Sequence, residues 1–238
     1  MNWVERYERK SILYRFYPIR KALILKNIPS QGLVLELGSG PGVFPELRGR
    51  VIALDANRSV LIQGTYTRVC GLNESLPFKD EAFDVVIAAG TLEYSLLPEA
   101  LHEAHRVLKK GGLLFGSFPN RLSVRRVWDK EVYLPVSSCI KAALAKGPGR
   151  PVRWHPTAPE ARELLAGTGF DVRRVIFFDM NPLLRPAERL CESLARWLCE
   201  MLEPHAHPLI ANQFLVIASK RELERDLPQA LDYAREQR

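Results

Sequence analysis

The chain has 238 residues, of which 47% are hydrophobic and 26% are charged, and its formal net charge is +7. This length and composition allow one substantial buried core and do not require a second full domain. There is no run of eighteen apolar residues, and the segment from Met1 to Arg6 lacks the apolar core of a signal peptide. We therefore expect a cytoplasmic protein without a transmembrane segment.

The four cysteines are scattered along the chain without C-x-x-C spacing. Neither a zinc site nor a disulfide framework is indicated, and no metal is expected. Two of them, Cys191 and Cys199, are eight residues apart on a predicted helix, where we expect them to pack as small apolar side chains.

The N-terminal segment predicts two helices, from Trp3 to about Phe16 and from Pro18 to about Asn27. It is also basic, since residues 1–28 contain seven Lys or Arg and two acids. Residues 121–153 contain eight Lys or Arg and two acids. Together these two segments carry more positive charge than the net charge of the whole chain. A basic surface of this kind favours an anionic acceptor, nucleic acid or an anionic membrane, with ordinary solvated helix faces as the alternative.

A short apolar strand at 34–37 runs through a carboxylate, Glu36, into a glycine-rich turn. Alternate positions of the turn are glycines, with Ser39 between the first two: Gly38, Gly40 and Gly42. Glycine lets the backbone take positive φ angles and lets a ligand approach without meeting a Cβ atom. The spacing is G-x-G-x-G, whereas dinucleotide-binding folds have G-x-G-x-x-G. The turn therefore predicts a nucleoside-bearing ligand at the end of a parallel strand.

A second apolar strand ends in Asp55, 17 residues after Gly38. This is close to the interval at which an acidic residue meets ribose hydroxyls in nucleotide-binding α/β folds. A carboxylate can accept hydrogen bonds from both vicinal hydroxyls, so Asp55 is the ribose candidate.

Three further blocks follow in order. Residues 71–78 read G-L-N-E-S-L-P-F, residues 83–89 form an F-D-V-V strand that ends at Ala89, and residues 106–120 read R-V-L-K-K-G-G followed by S-F-P-N. The helix between the last two blocks is amphipathic from Pro98, and we expect a glycine C-cap at Gly111 or Gly112. The next strand is expected at 113–118.

Together these five motifs resemble the class I methyltransferases that use S-adenosylmethionine (SAM), specifically the methyltransferase type 11 group. The resemblance is continuous over residues 33–120 and looser over 157–218. It implies an α/β fold: a Rossmann-like, seven-stranded, mostly parallel sheet with helices on both faces, an antiparallel last strand and a small helical lid. It also implies SAM as cofactor and S-adenosylhomocysteine as product. The cofactor-binding positions are then Glu36, Gly38, Ser39, Gly40, Gly42, Asp55, Leu72, Asn73, Ala89 and Leu92.

The chain departs from this family at Leu72, where relatives have an Asp that meets the adenine amino group. Asn73 could offer its side-chain carbonyl or its backbone N–H to the adenine edge instead. A lost hydrogen bond to a charged group costs about 1.5–3 kcal/mol, so SAM binding is expected to be roughly tenfold to a hundredfold weaker.

Catalytic candidates are few, because Glu93 and Tyr94 replace the histidines that relatives have after the fourth strand. His155 lies where relatives return from the lid to the core, and it is the first candidate for a general base, with Tyr94 and Glu93 behind it. A structural histidine that is hydrogen-bonded to the lid is the alternative.

The expected organisation is a single methyltransferase domain over residues 1–238. It comprises N-terminal lid helices (1–28), the SAM-binding core (29–120), a basic lid insertion (121–156), the C-terminal half of the sheet (157–218) and a charged tail (219–238). A capping box at 157–160 starts a helix, and a helical insertion at 182–204 separates the last two strands. The apolar stripe of helix 183–202 is a candidate surface for the substrate pocket, a membrane or a homodimer.

The expected function is methyl transfer by direct SN2 displacement to a small-molecule or lipid-like acceptor, which the basic lid suggests is anionic. An RNA- or protein-directed methyltransferase that uses the basic lid is one alternative, so nucleic acid is a second candidate partner. A degenerate SAM-binding regulatory protein is another, motivated by Leu72.

Overall fold

A computed structural model describes residues 15–40, 44–47, 49–61, 67–129, 131, 156–184 and 187–221. Within these residues one seven-stranded sheet is at the centre, with strand order β3-β2-β1-β4-β5-β7-β6. The strands are β1 (Val34–Leu37), β2 (Val51–Asp55), β3 (Thr67–Cys70), β4 (Phe83–Ala89), β5 (Leu108–Pro119), β6 (Phe170–Phe178) and β7 (Gln213–Lys220).

The first five strands run parallel, and β7 runs antiparallel to both of its neighbours, β5 and β6. The central strands are apolar on both faces because helices cover the sheet on both sides, as parallel sheets require. This confirms the predicted Rossmann-like sheet with an antiparallel last strand.

The described helices are α1 (Phe16–Asn27), α2 (Arg58–Leu61), α3 (Leu97–Val107), α4 (Val124–Trp128), α5 (Ala158–Gly167), α6 (Ala187–Leu190) and α7 (Glu192–Leu202). Successive side chains of a strand point to opposite faces, so each face has its own core. On one face, α1 packs through Ile24 onto Val85, Ile87 and Phe115. On the other, α3 and α5 pack onto Val86 and Leu114, among others.

Two helix starts agree with the sequence. Pro18 lies in the first turn of α1, where its missing N–H costs no hydrogen bond. The first of the two predicted N-terminal helices lies outside the described residues, except for its last residues. At α5 the predicted capping box is confirmed, because Thr157 and Glu160 each accept a hydrogen bond from the other's backbone N–H.

The expected glycine C-cap after α3 is wrong. The helix ends at Val107, and Leu108 is already extended, with φ −73° and ψ 138°. The cause is tertiary: Leu108 pairs with Phe83 of β4 and is completely buried, so the chain joins the sheet before it reaches the glycines. Strand β5 consequently begins five residues earlier than expected.

The helical insertion is shorter than the predicted 182–204. Its described helices begin at Ala187 and are interrupted at Cys191, whose φ and ψ are −123° and 53°. Before them, Asn181 Oδ1 accepts a hydrogen bond from Leu183 N, which makes a turn rather than a helix.

The buried face of α7 is Ala195 and Cys199, and the predicted apolar stripe faces outward. Leu194, Trp197 and Met201 are each about half exposed. Cys191 is exposed as well, so the expectation that both helix cysteines pack inside holds only for Cys199. The homodimer surface on this helix stays a prediction.

Candidate functional site

The predicted cofactor residues gather at the edge of the sheet where β1, β2 and β4 end. Because these three strands are parallel neighbours, their carboxyl ends open at one place, and ligands of open α/β sheets bind there. Each of the three strands is followed by a turn that carries candidate residues, so the topology itself brings them together.

The turn after β1 has the backbone conformation that the glycine spacing predicts. Gly38 and Gly40 have φ angles of +58° and +57°, in the left-handed region. A Cβ atom on Gly38 would lie 2.0 Å from Thr91 Oγ1, so this backbone is in tight contact with the turn after β4. Ser39 is buried, and its N–H donates to Leu54 O over 3.0 Å. Gly42 lies outside the described residues.

Asp55 reaches from the end of β2 to this glycine turn. Its Oδ2 accepts a hydrogen bond of 2.9 Å from Gly40 N, and its Oδ1 accepts one of 2.8 Å from Asn57 N. The carboxylate is partly exposed and therefore accessible to a ligand beside the turn. Asp55 thus couples the predicted ribose position to the conformation of the glycine turn.

Glu36 is in the middle of the sheet, in register with Ala53 of β2 and Ile87 of β4. It is only 1% exposed, although it is a carboxylate between apolar strands. A buried acidic side chain is costly unless it is paired, so its position is typical of a residue kept for a ligand or a network rather than for packing.

In the turn after β3, the Asn73 amide nitrogen has partners within the protein, and the expected contact of its carbonyl or backbone N–H with adenine stays a prediction. Asn73 Nδ2 donates to Thr91 Oγ1 over 3.2 Å and to Ser95 Oγ over 2.9 Å, so the side chain ties two turns together. Thr91 and Ser95 were not predicted as site residues, since the network depends on contacts between turns far apart in sequence. Leu72 is 57% exposed next to Asn73 and presents an apolar side chain to the surface there.

Ala89 and Leu92 flank the end of β4. Ala89 is partly buried, whereas Leu92 is completely buried and belongs to the core that α3 covers. Leu92 therefore forms part of the floor beneath the turns, and its role toward adenine stays a prediction.

The three catalytic candidates have different surroundings. Glu93 is 7% exposed, and burial raises the pKa of its carboxyl against the opposing charges of Arg20 and Arg126. Tyr94 is about half exposed, on the same turn. His155 lies outside the described residues, so its part in catalysis stays a prediction.

Arg20 joins this edge of the sheet from α1, which sequence reasoning did not foresee. Arg20 is 4% exposed, and its Nη1 donates to Ser117 Oγ of β5 over 3.3 Å. The spacing of the helix could have predicted this burial, because Arg20 and Ile24 are four residues apart and lie on one face. They are the two buried residues of the helix. An arginine on the apolar stripe of a helix indicates an inward-facing charge.

A second buried charge cluster lies where β6 ends. Asp179 has a φ of +63°, and its N–H donates to Glu203 Oε1 over 2.9 Å. Arg15 Nη1 donates to Glu203 Oε2 over 2.8 Å and lies 4.0 Å from Asp179 Oδ1. Burial raises the pKa of Asp179 to about 6, although Arg125 and Arg15 oppose the shift. The cluster links the start of α1 to the end of α7.

Asp179 predicts a specific pH dependence of stability. Since the folded state keeps this proton to a higher pH than the unfolded state, stability from this group is greatest below pH 4 and falls as the pH rises through about 6. We expect Asp179→Asn to gain up to about 3 kcal/mol in unfolding free energy relative to the natural chain between these limits. Urea unfolding at pH 4, 5, 6 and 7 measures the difference.

The control for this prediction is Asp171→Asn, which changes an exposed carboxylate on β6. Its unfolding free energy should run parallel to that of the natural chain over the same pH range. A constant difference between Asp179→Asn and the natural chain from pH 4 to 7 would show that Asp179 is ionised in the folded state throughout.

Within the described residues, no group of three or more His, Cys, Asp or Glu side chains could hold a metal ion. None of the described helices is long and apolar enough to cross a membrane.

The comparisons agree with the geometry. Residues 35–116 match the family model described as a methyltransferase domain. The ubiquinone/menaquinone biosynthesis C-methyltransferase UbiE of Azotobacter vinelandii is 28% identical over 189 residues, which cover 68% of this chain and 74% of that protein. The mitochondrial 2-methoxy-6-polyprenyl-1,4-benzoquinol methylase of Pongo abelii is 32% identical over 142 residues. The match covers 51% of this chain and 43% of that protein. The chain thus spans less than half of this second relative.

A solved SAM-dependent methyltransferase from Thermotoga maritima superposes with a TM-score of 0.59 at 21% identity, covering 92% of this chain and 96% of that one. The fold is therefore that of the class I SAM-dependent methyltransferases. Within that class, residues 35–116 are similar to the methyltransferase domain of the type 11 group.

Proposed function

We propose that this protein binds SAM at the turns after β1, β2 and β4 and transfers its methyl group to a small-molecule or lipid-like acceptor. The observation that carries the proposal is the pairing of a left-handed glycine turn with a carboxylate that reaches it, Asp55 Oδ2 to Gly40 N at 2.9 Å. The methyltransferase domain match over the same residues supports it.

The residues present suit this cofactor. A Cβ atom at Gly38 would collide with Thr91, so only glycine lets the turn after β1 pack against the turn after β4 and hold both at the proposed cofactor site. Asp55 would hold the ribose hydroxyls, and Glu36 would hold the methionine ammonium directly or through water. Neither role needs a phosphate site, in keeping with a turn whose third glycine, Gly42, comes one residue earlier than in dinucleotide folds.

When bound, SAM supplies an activated methyl group, so the chain itself needs little acid-base chemistry for the transfer. The chain contributes position and exclusion of water. Holding two reactants in line is worth about 7–11 kcal/mol of the barrier. Beyond Gly90, where β4 and β5 end, α1 contributes to the exclusion of water, because buried side chains such as Arg20 cover this end of the sheet.

The acceptor is proposed from two considerations. The relatives named above are a C-methyltransferase of ubiquinone and menaquinone biosynthesis and a methylase of a polyprenyl benzoquinol, both of which concern small, lipid-like molecules. The site adds one observation: Arg125, within the basic segment, is 8% exposed and cannot face a long phosphate backbone, whereas Arg121 is exposed. A small acceptor therefore fits better than nucleic acid.

Isothermal calorimetry tests the proposal. The natural chain should bind one SAM or one S-adenosylhomocysteine per chain and give no heat with NAD at the same concentration. Undetectable binding of both SAM and S-adenosylhomocysteine at millimolar concentration would refute the proposal, and a preference for NAD would point to a dehydrogenase. Binding of both ligands without methyl transfer to any quinol or phenol would favour the degenerate regulatory protein.

A further inference from the structure

Arg20 occupies the carboxyl ends of β4 and β5, next to the proposed cofactor site. A Cβ atom on Gly90, the residue after β4, would lie 2.5 Å from Arg20 Nη1, so the guanidinium rests directly on this turn. On its other side, the rings of Phe16 and Tyr17 lie 5.7 and 5.2 Å from Arg20 Cζ. The guanidinium is thus clamped between α1 and the sheet.

This buried cation has little to bind within the described residues. Of its five N–H donors, one makes a hydrogen bond there, and the acceptor is the neutral hydroxyl of Ser117. No carboxylate of the described residues lies within 4.0 Å of it, although other arginines of this protein form such pairs. A buried charge is costly unless it is paired, so Arg20 is prepared for a negatively charged or polar ligand group.

Glu93 is the second such group at this edge. It is 7% exposed, and its Oε2 makes no hydrogen bond with the described part of the chain. Its charge interacts with Arg20 of α1 and Arg126 of α4, yet neither of them forms a described ion pair with it. A carboxyl and a guanidinium are thus both buried at this end of the sheet, and no described ion pair joins them.

We infer that Arg20 and Glu93 together bind the hydroxyl group of a phenol- or enol-type acceptor, with Glu93 accepting its proton and Arg20 holding the oxyanion. The inference rests on the proposed function and names its acceptor class. It makes Arg20 and Glu93 substrate-binding residues and Ser117 a positioning residue for the guanidinium.

The proton step conserves charge. The acceptor's O–H bond breaks, the proton passes to a Glu93 carboxylate oxygen, and the electron pair stays on the acceptor oxygen beside Arg20. One cation and one anion are present before and after, so no new net charge is buried. Burial raises the pKa of Glu93 toward that of a phenol, which makes the transfer easier. An acceptor carboxylate would use only Arg20 and would be repelled by Glu93.

The test uses 4-nitrophenol, whose ionised form absorbs visible light, at a pH where the free probe is neutral. Calorimetry in two buffers that differ in ionisation enthalpy counts the protons released. When 4-nitrophenol binds to the S-adenosylhomocysteine complex of the natural chain, we expect the visible absorption band of the ionised probe to appear. We expect no net release of protons to the buffer. Glu93→Gln should keep the band but release about one proton per probe to the buffer, because its base is gone.

Arg20→Met should remove the band and weaken probe binding by about tenfold or more, since a hydrogen bond to a charged group is lost. Arg50→Met is the matched control, because Arg50 lies at the opposite edge of the sheet, where its Nη2 donates to Pro29 O. Arg50→Met should match the natural chain in its affinity for 4-nitrophenol and in the visible band. Arg20→Lys keeps the positive charge but loses the planar guanidinium group. It should keep the visible band of the bound probe and bind the probe more weakly.

Binding of S-adenosylhomocysteine by each variant reports its folding and separates the two proposals. If Arg20→Met and Arg20→Lys bind 4-nitrophenol as the natural chain does, or if the natural chain releases the proton to the buffer, the inference is overturned while SAM binding stands. If the natural chain does not bind S-adenosylhomocysteine, the proposed function fails, and this inference fails with it.

Discussion

Gly38→Ala should abolish detectable binding of SAM and S-adenosylhomocysteine. The φ of +58° costs an L side chain about 1–2 kcal/mol, and the new Cβ would meet Thr91 Oγ1 at 2.0 Å. Since real Cβ atoms do not approach other atoms so closely, either the glycine turn or the Thr91 turn must move, and both carry proposed cofactor residues. Calorimetry with S-adenosylhomocysteine, together with thermal unfolding, measures the loss.

Gly49→Ala separates backbone strain from the collision. Gly49 also has a positive φ, +86°, but a Cβ there would meet no atom within 4 Å. This control should lose about 1–2 kcal/mol of stability and bind the ligand normally. In the Gly38→Ala background, Thr91→Gly removes the colliding side chain and should restore part of the binding. Unchanged binding by Gly38→Ala alone would show that the turn does not contact the cofactor.

Asp55→Ala should weaken binding of S-adenosylhomocysteine by about a hundredfold or more. Two hydrogen bonds from ribose hydroxyls to a charged carboxylate are worth about 1.5–3 kcal/mol each. The substitution also frees Gly40 N, which the carboxylate now holds at 2.9 Å, so the turn loses a support as well as a ligand contact. Calorimetric titration of the variant against the natural chain gives the ratio of dissociation constants.

Two comparisons sharpen this prediction. Asp55→Asn keeps one acceptor oxygen without the charge, and it should lie between Asp55→Ala and the natural chain. Asp171→Ala removes an exposed carboxylate that is 3.9 Å from Arg221, and it should bind normally. If Asp55→Ala binds S-adenosylhomocysteine as tightly as Asp171→Ala does, Asp55 supports the turn but does not bind the ribose.

The parts of the fold that sequence predicted are those with local signals. The glycine turn follows from the conformational freedom of Gly38 and Gly40, and the capping box follows from Thr157 and Glu160, three residues apart. The parallel strands follow from continuous apolar runs such as that of β4, which ends at Ala89. Each of these features is decided within a few residues of the chain.

The features that were missed depend on contacts between distant segments. Leu108 leaves its helix early because it pairs with Phe83, and the C-cap chemistry of the glycines cannot compete with a completely buried strand position. Asn73 binds Thr91 and Ser95 across two turns, 18 and 22 residues away in sequence. No periodicity or spacing within one segment records such neighbours.

Arg20 is the most instructive case. Sequence placed it in a basic helix whose charges suggested a solvated or ligand-facing surface, without distinguishing among them. The fold turns this one arginine inward, 97 residues from its partner Ser117 and close to Glu93. Helical spacing from Ile24 was sufficient to predict its burial, but only the sheet topology could show what lies opposite.

A crystal structure of the natural chain with S-adenosylhomocysteine bound tests the central claim most directly. We predict the ribose hydroxyls within hydrogen-bond distance of Asp55, the methionine portion against the backbone of Gly38 and Gly40, and the sulfur directed toward Gly90 and Arg20. A ligand bound elsewhere, or one whose sulfur points away from the ends of β4 and β5, would contradict this assignment of cofactor and acceptor sites.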